Sequence, residues 1–336
     1  MNNMNNKEDV SIFDRLISKK RPVWVTLVVS LLFLLLPFAA AYLDGALGNI
    51  FKEGQWRVFL LAPVIIIYIW MVSPIMTRMA ENVFITLRPL VQLDDEDFDR
   101  IIYEASRLNP LHEWLAFGFG LVLGIAASLA SEFDADLTWL RIYWFLATAL
   151  LYGILAWTIY VAVASTRVTA ALHRQPMRID ILALTPFEAI GRQSLVLALV
   201  FLGGITLSLL LSFQLENLTT PEFWIIYVLL IMVTLLIFFL NMYPAHRVLA
   251  AEKERQLAPV QRHIHRSCQD LVLRLEEGVD TGHLGAEINA LEIYEKRLQA
   301  ARTWPYNTSM LRALLFSVLI PIGSLLARVA IEFLLP

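Results

Sequence analysis

The chain has 336 residues, a net charge of −3, 58% hydrophobic residues and only 17% charged ones. Soluble domains average about 45–50% and about 25%, so this composition excludes a wholly soluble fold. The near-neutral charge, with no basic cluster interleaved with aromatics, argues against a nucleic-acid partner, and the single cysteine, Cys268, excludes an internal disulfide.

Residues 1–22 form a basic N-terminal segment with Lys7, Arg15, Lys19, Lys20 and Arg21. Next comes Val23–Leu43, an apolar run longer than a signal-peptide core and without a small-residue cleavage site after it, which reads as a retained first span. Five more follow: Val58–Thr77, Trp114–Ser131, Trp139–Ser165, Ser194–Phe213 and Phe223–Tyr243. A seventh, Ala313–Leu335, is long enough to cross; if it re-enters instead, the C-terminus returns to the side it came from. Crossing roughly 30 Å of hydrocarbon takes about 20 apolar residues in a helix. The expected fold is therefore all-α: a polytopic transmembrane bundle of seven spans embedded in the lipid bilayer.

Sidedness follows from the basic residues. The N-terminal segment, the loops after the second and fourth spans, and the stretch between the sixth and seventh hold 22 of the 27 Lys and Arg. An excess of basic residues marks the cytoplasmic side. The N-terminus is thus expected inside, in a plasma membrane, and the C-terminus outside. The outside loops are too short to make a folded domain.

Two inside segments carry patterns. Asp94, Asp95, Glu96 and Asp97 invite a metal reading, but acids at a helix start also complement the dipole and cap free N–H groups. Calcium loops space their ligands along a Gly-containing loop, so the capping role fits better. Residues 245–306 repeat Leu257, Ile264, Leu271 and Leu275 at helical steps, turn at Gly278–Gly282, and continue with Leu284, Ile288, Leu291 and Leu298. This predicts an antiparallel cytoplasmic helical hairpin. A lone hairpin leaves apolar surface uncovered, which points to homo-oligomerisation or to packing on the chain's own inside loops. The domain plan is then 1–22, the first six spans over 23–244, the hairpin over 245–306, and the last span over 307–336.

Within the spans, Gly120, Gly124 and Ser128 make a small-residue face for close helix approach. Pro321 and Ser324 sit midway along the last span, with Arg328 and Glu332 beyond them. An ionisable group at membrane depth is a functional hypothesis by default, and these four with Arg141 are pore or pocket candidates for an undetermined small ligand or ion. The bland alternative for Arg328 is a snorkelling side chain paired at i,i+4 with Glu332. Thr234 and Asn241 on the sixth span are further polar candidates. His265 and Cys268 share a helix face, but two ligands do not make a zinc site. His-Glu-x-x-His, Gly-x-Ser-x-Gly and phosphate-loop patterns are all absent from the sequence. No enzyme and no cofactor is expected.

The stretch Thr303-Trp304-Pro305-Tyr306-Asn307-Thr308, running into the span with Pro321, resembles the C-terminal pattern of uncharacterised bacterial polytopic membrane proteins. That resemblance implies a bacterial membrane protein and no particular activity. In layout alone, the chain is similar to the insect odorant and gustatory receptor type of seven-helix channel. This likeness implies a homo-oligomeric receptor or ion channel whose seventh helix borders the pore and whose inner helices join the subunits. The family's Thr-Tyr and Gln-Phe pairs are replaced here by Trp304-Pro305-Tyr306 and Ile331-Glu332-Phe333. The rival reading is a transporter or membrane scaffold subunit acting with a partner.

Overall fold

The computed structural model describes residues 23–334, except 53, 107, 130–136, 174, 176–178, 183, 213–220 and 279. Among them the regular elements are helices: α1 (Val23–Leu43), α2 (Leu47–Lys52), α3 (Trp56–Leu87), α4 (Asp95–Ser106), α5 (Pro110–Leu129), α6 (Thr138–His173), α7 (Thr185–Ser212), α8 (Pro221–Glu276), α9 (Leu284–Ala300) and α10 (Thr308–Leu334). By length and composition, six helices can cross a membrane, and α10 adds a shorter apolar stretch, Thr308–Ser324. Leu27, Leu31, Val122, Leu229 and Phe316 are exposed on their outer faces. A soluble monomer rarely exposes contiguous apolar patches beyond a few hundred Å², whereas lipid suits them.

The centre of the bundle is α7. Phe187, Ile190, Ser194, Leu197, Ala198, Leu202, Ile205 and Leu209 are all buried, at the steps of three and four that make one helix face. That helix packs against α3, α8 and α10, while α5 packs mainly against α6. A four-membered group of Ala62, Ile65, Ala147 and Leu151 ties α3 to α6. Where α7 and α8 meet, Leu197 clusters with Ile237, and Phe201 and Val233 pack beside them. Tyr227 Oη lies 2.8 Å from both Ser208 Oγ and Ser212 Oγ. These pairs fix an antiparallel register.

Several boundaries differ from expectation, for one physical reason. The sixth span and the first helix of the predicted hairpin are a single helix, α8, which runs 56 residues through Pro244 and Pro259. At 1.5 Å per residue it is about 84 Å long. A proline removes one backbone hydrogen bond and crowds the preceding turn. Here the same buried row continues across it, through Phe238, Met242, Ala245 and Leu249. Burial of that row outweighs the local cost, and the helix continues across residue 244. Likewise α7 starts at Thr185, nine residues before the predicted Ser194, because Phe187 and Ile190 are buried with its core.

Beyond the bundle, α9 runs back along α8. Gln261 Nε2 donates to Glu295 Oε1 at 2.9 Å, and His263 Nε2 meets Glu287 Oε1 at 3.0 Å. The turn between them uses Gly278 at φ +68°, where a side chain would be strained. Asp280 Oδ1 then accepts from the Gly282 N–H at 2.9 Å. Leu284 and Leu298 are buried at the two ends of α9, and Leu257, Ile264, Leu271, Ile288 and Leu291 are half-buried between. Leu275 departs from the predicted seam: it is 62% exposed, past the point where α9 covers α8.

Candidate functional site

The α5–α6 seam is built by glycines. A Cβ on Gly120 would stand 2.3 Å from the Tyr152 carbonyl oxygen and 2.8 Å from the Gly153 Cα. One on Gly124 would stand 2.7 Å from the Ala149 Cα. Both positions therefore face α6 of the same chain at backbone contact. Ser128 is buried on the same face, its hydroxyl donating to the Ile125 carbonyl at 2.8 Å. Stepping four residues toward the start of α5 matches four toward the end of α6: Gly124 meets Ala149, and Gly120 meets Gly153. Carried on for two further turns at the helical repeat, the same register would set Glu113 level with Tyr160. Glu113 is only 4% exposed. Its Oε1 and the Tyr160 hydroxyl are both buried without a hydrogen-bond partner among the described residues.

A second constellation closes the bundle where α8 leaves it. Trp304 stacks on His246 and contacts Phe239 edge-on. His246 Nδ1 lies 3.2 Å from the Thr303 carbonyl oxygen, so this nitrogen carries the donated hydrogen. Lys253 Nζ donates to the Gln299 and Ala301 carbonyls at 2.6 and 3.0 Å, closing the end of α9. Arg302 lies 3.7 Å from Glu188 on α7. Beneath them Pro305 is buried on Gly191, where a Cβ would come within 2.0 Å of its carbonyl oxygen. The Thr303–Thr308 stretch singled out in the sequence is thus the clasp joining α7, α8, α9 and α10.

The third feature lies in the core between α7, α8 and α10. Ser194, Thr234 and Ser317 each donate to the carbonyl four residues back, at 2.9, 2.8 and 2.6 Å. This is how hydroxyls in spanning helices are satisfied. Asn241 has no such outlet. The residue is 1% exposed, and its amide nitrogen and oxygen both lack partners among the described residues.

Of the predicted pore residues, the side chains of Pro321, Ser324 and Arg141 are described. Pro321 is buried within an unbroken α10, and Ser324 Oγ donates to its carbonyl at 2.7 Å. Arg328 and Glu332 belong to the helical stretch of α10, but their side chains lie outside the described residues. Arg141 is exposed near the start of α6, remote in sequence and element from α10. The acidic run behaves as a helix start: Asp94 Oδ1 accepts from the Asp95 N–H at 2.9 Å, and Arg88 pairs with Asp95 and covers the Phe98 ring. No group of three or more His, Cys, Asp or Glu among the described residues could hold a metal ion.

Sequence reasoning missed Glu113 because it stands one position before the predicted span at Trp114. Tyr160 was hidden as an ordinary aromatic in the fourth span. A rule that inspects the first turn of each span for acids would have found the former. Comparison of the chain with protein-family models, with curated proteins and with solved structures gives no match.

Proposed function

We propose that this chain is an integral membrane protein of receptor or channel type, working as a homo-oligomer with its N-terminus and the α8–α9 pair on the cytoplasmic side of a bacterial plasma membrane. The carrying observation is the single helix α8. It extends the buried face of the bundle core without interruption into a rod that α9 covers only in part. Val272, Leu273 and Leu275 are exposed toward its far end. That end lies about 45 Å along the helix from Tyr243, at 1.5 Å per residue, and so away from lipid. A second subunit's rod would cover them, and a rigid helix would pass a change there into the core. Sidedness rests on the distribution of basic residues.

A second reading, a transporter or scaffold subunit with a separate partner, is favoured by the outward side of α10. Leu315, Phe316, Leu319, Ile320, Ile322 and Leu326 are exposed there, a surface suited to lipid or protein and without the polar groups that line a water-filled path. Native mass spectrometry of the nanodisc-held protein separates the two. A closed ring of subunits supports the first reading, and a monomer overturns it in favour of the second. Orientation is tested on Cys268, the only thiol. In sealed right-side-out vesicles a membrane-impermeant maleimide must leave it unmodified until the membrane is opened.

A further inference from the structure

We propose that Glu113 and Tyr160 form a binding site for a small monovalent cation at the start of the α5–α6 seam. Glu113 stands in the first turn of α5, four residues after Asn109, whose Oδ1 accepts from the Leu111 N–H at 3.0 Å. That side-chain cap and Pro110 set the helix start. The positive end of the helix dipole favours a negative charge at this turn. The carboxyl group is nonetheless almost wholly enclosed, with no ion pair to it among the described residues. Burying a carboxylate with an oxygen unpaired is costly, and such groups are normally paired or coordinate a cation.

The facing group has the same deficit. The Tyr160 hydroxyl is buried and unpartnered among the described residues, and the glycine register, carried on at the helical repeat, would set it level with Glu113. Together they present two hard oxygens and a single negative charge, which a singly charged ion balances; divalent calcium and magnesium sites draw on more oxygen ligands and usually more carboxylates. The seam also limits size. Gly120 and Gly124 bring α5 to backbone contact with α6 just beyond the site, so a bulky organic cation does not fit between the helices. Glu113 lies at the helix end, so water can complete the ion's shell from that side.

The test uses the full chain in nanodiscs and a hydrophobic carbodiimide, which converts a buried carboxyl to a stable N-acylurea that peptide mass mapping locates. In choline chloride, Glu113 is expected to be modified. Sodium or potassium chloride at the same pH and ionic strength should slow that modification severalfold. Tyr160→Phe keeps the ring and loses one ligand, so its Glu113 should still react but lose most of the protection by the ion. Equal rates in sodium, potassium and choline, or no adduct at Glu113 in any of them, would overturn the proposal. So would full protection retained in Tyr160→Phe. None of these readings depends on the subunit count.

Discussion

The indole of Trp304 lies flat on the imidazole of His246, ring centroids 4.0 Å apart and 9° from parallel. The two residues are 58 positions apart in sequence, and their contact joins the loop before α10 to the point where α8 leaves the bundle. Beside it, Lys253 bonds the end of α9 and Pro305 rests on Gly191.

Replacing Trp304 by Ala removes the stack and the contacts with Phe239 and Tyr306. The expected loss is about 2–4 kcal/mol, at the lower side of the range for large aromatics because Trp304 is only half-buried. Trp304→Phe keeps a stacking ring and should lose less than half as much. Thermal unfolding in detergent measures both; equal losses would mean that the ring stack contributes nothing.

The glycine seam makes a contrast within one helix. Gly120→Ala forces a Cβ onto backbone atoms of α6, while Gly118 has open space at the same point. Gly120→Ala should lower the unfolding temperature and the folded yield sharply. Gly118→Ala should be neutral or gain up to about 1 kcal/mol from helix propensity. Size-exclusion profiles and melting curves of the two variants decide it.

In the helix pair, Leu298 is fully buried and Leu275 mostly exposed. Leu298→Ala is expected to cost about 2–5 kcal/mol, as for buried leucines generally. Leu275→Ala should cost under about 1 kcal/mol within one subunit. If Leu275→Ala also shifts native mass spectra toward smaller assemblies, the exposed end of α8 is a subunit contact. An unchanged spectrum assigns that face elsewhere.

Asn241 is expected to behave opposite to a satisfied core residue. Exchanging it for Leu, which has the same number of side-chain heavy atoms and similar branching though a larger volume, removes a buried amide without a partner among the described residues, and should leave stability unchanged or raise it by about 1–3 kcal/mol. A marked loss of melting temperature in Asn241→Leu would show that the amide makes a stabilising interaction. Gain of stability with loss of activity would mark it as a functional group.

The spans were legible because each is a long apolar run, and length with hydropathy is a local property of the chain. The helical steps of Leu284 and Leu298, the turn at Gly278 and the acidic start of α4 were readable for the same reason: each depends on neighbours a few positions away. What the sequence could not set was the continuity of α8 through Pro244, since only the burial of Phe238, Met242, Ala245 and Leu249 outweighs the proline. Nor could it tell which partner meets Gly120 and Gly124, because a small-residue face suits any helix that approaches it. Leu275 looked like part of the seam by spacing, and is exposed because α9 is too short to reach it. By itself the sequence determined a polytopic helical membrane protein with a helical extension, through local hydrophobic periodicity. The enclosure of Glu113, the isolation of Asn241 and the stack of Trp304 on His246 were decided by tertiary packing alone, because burial and contact between distant positions carry no signal in local spacing.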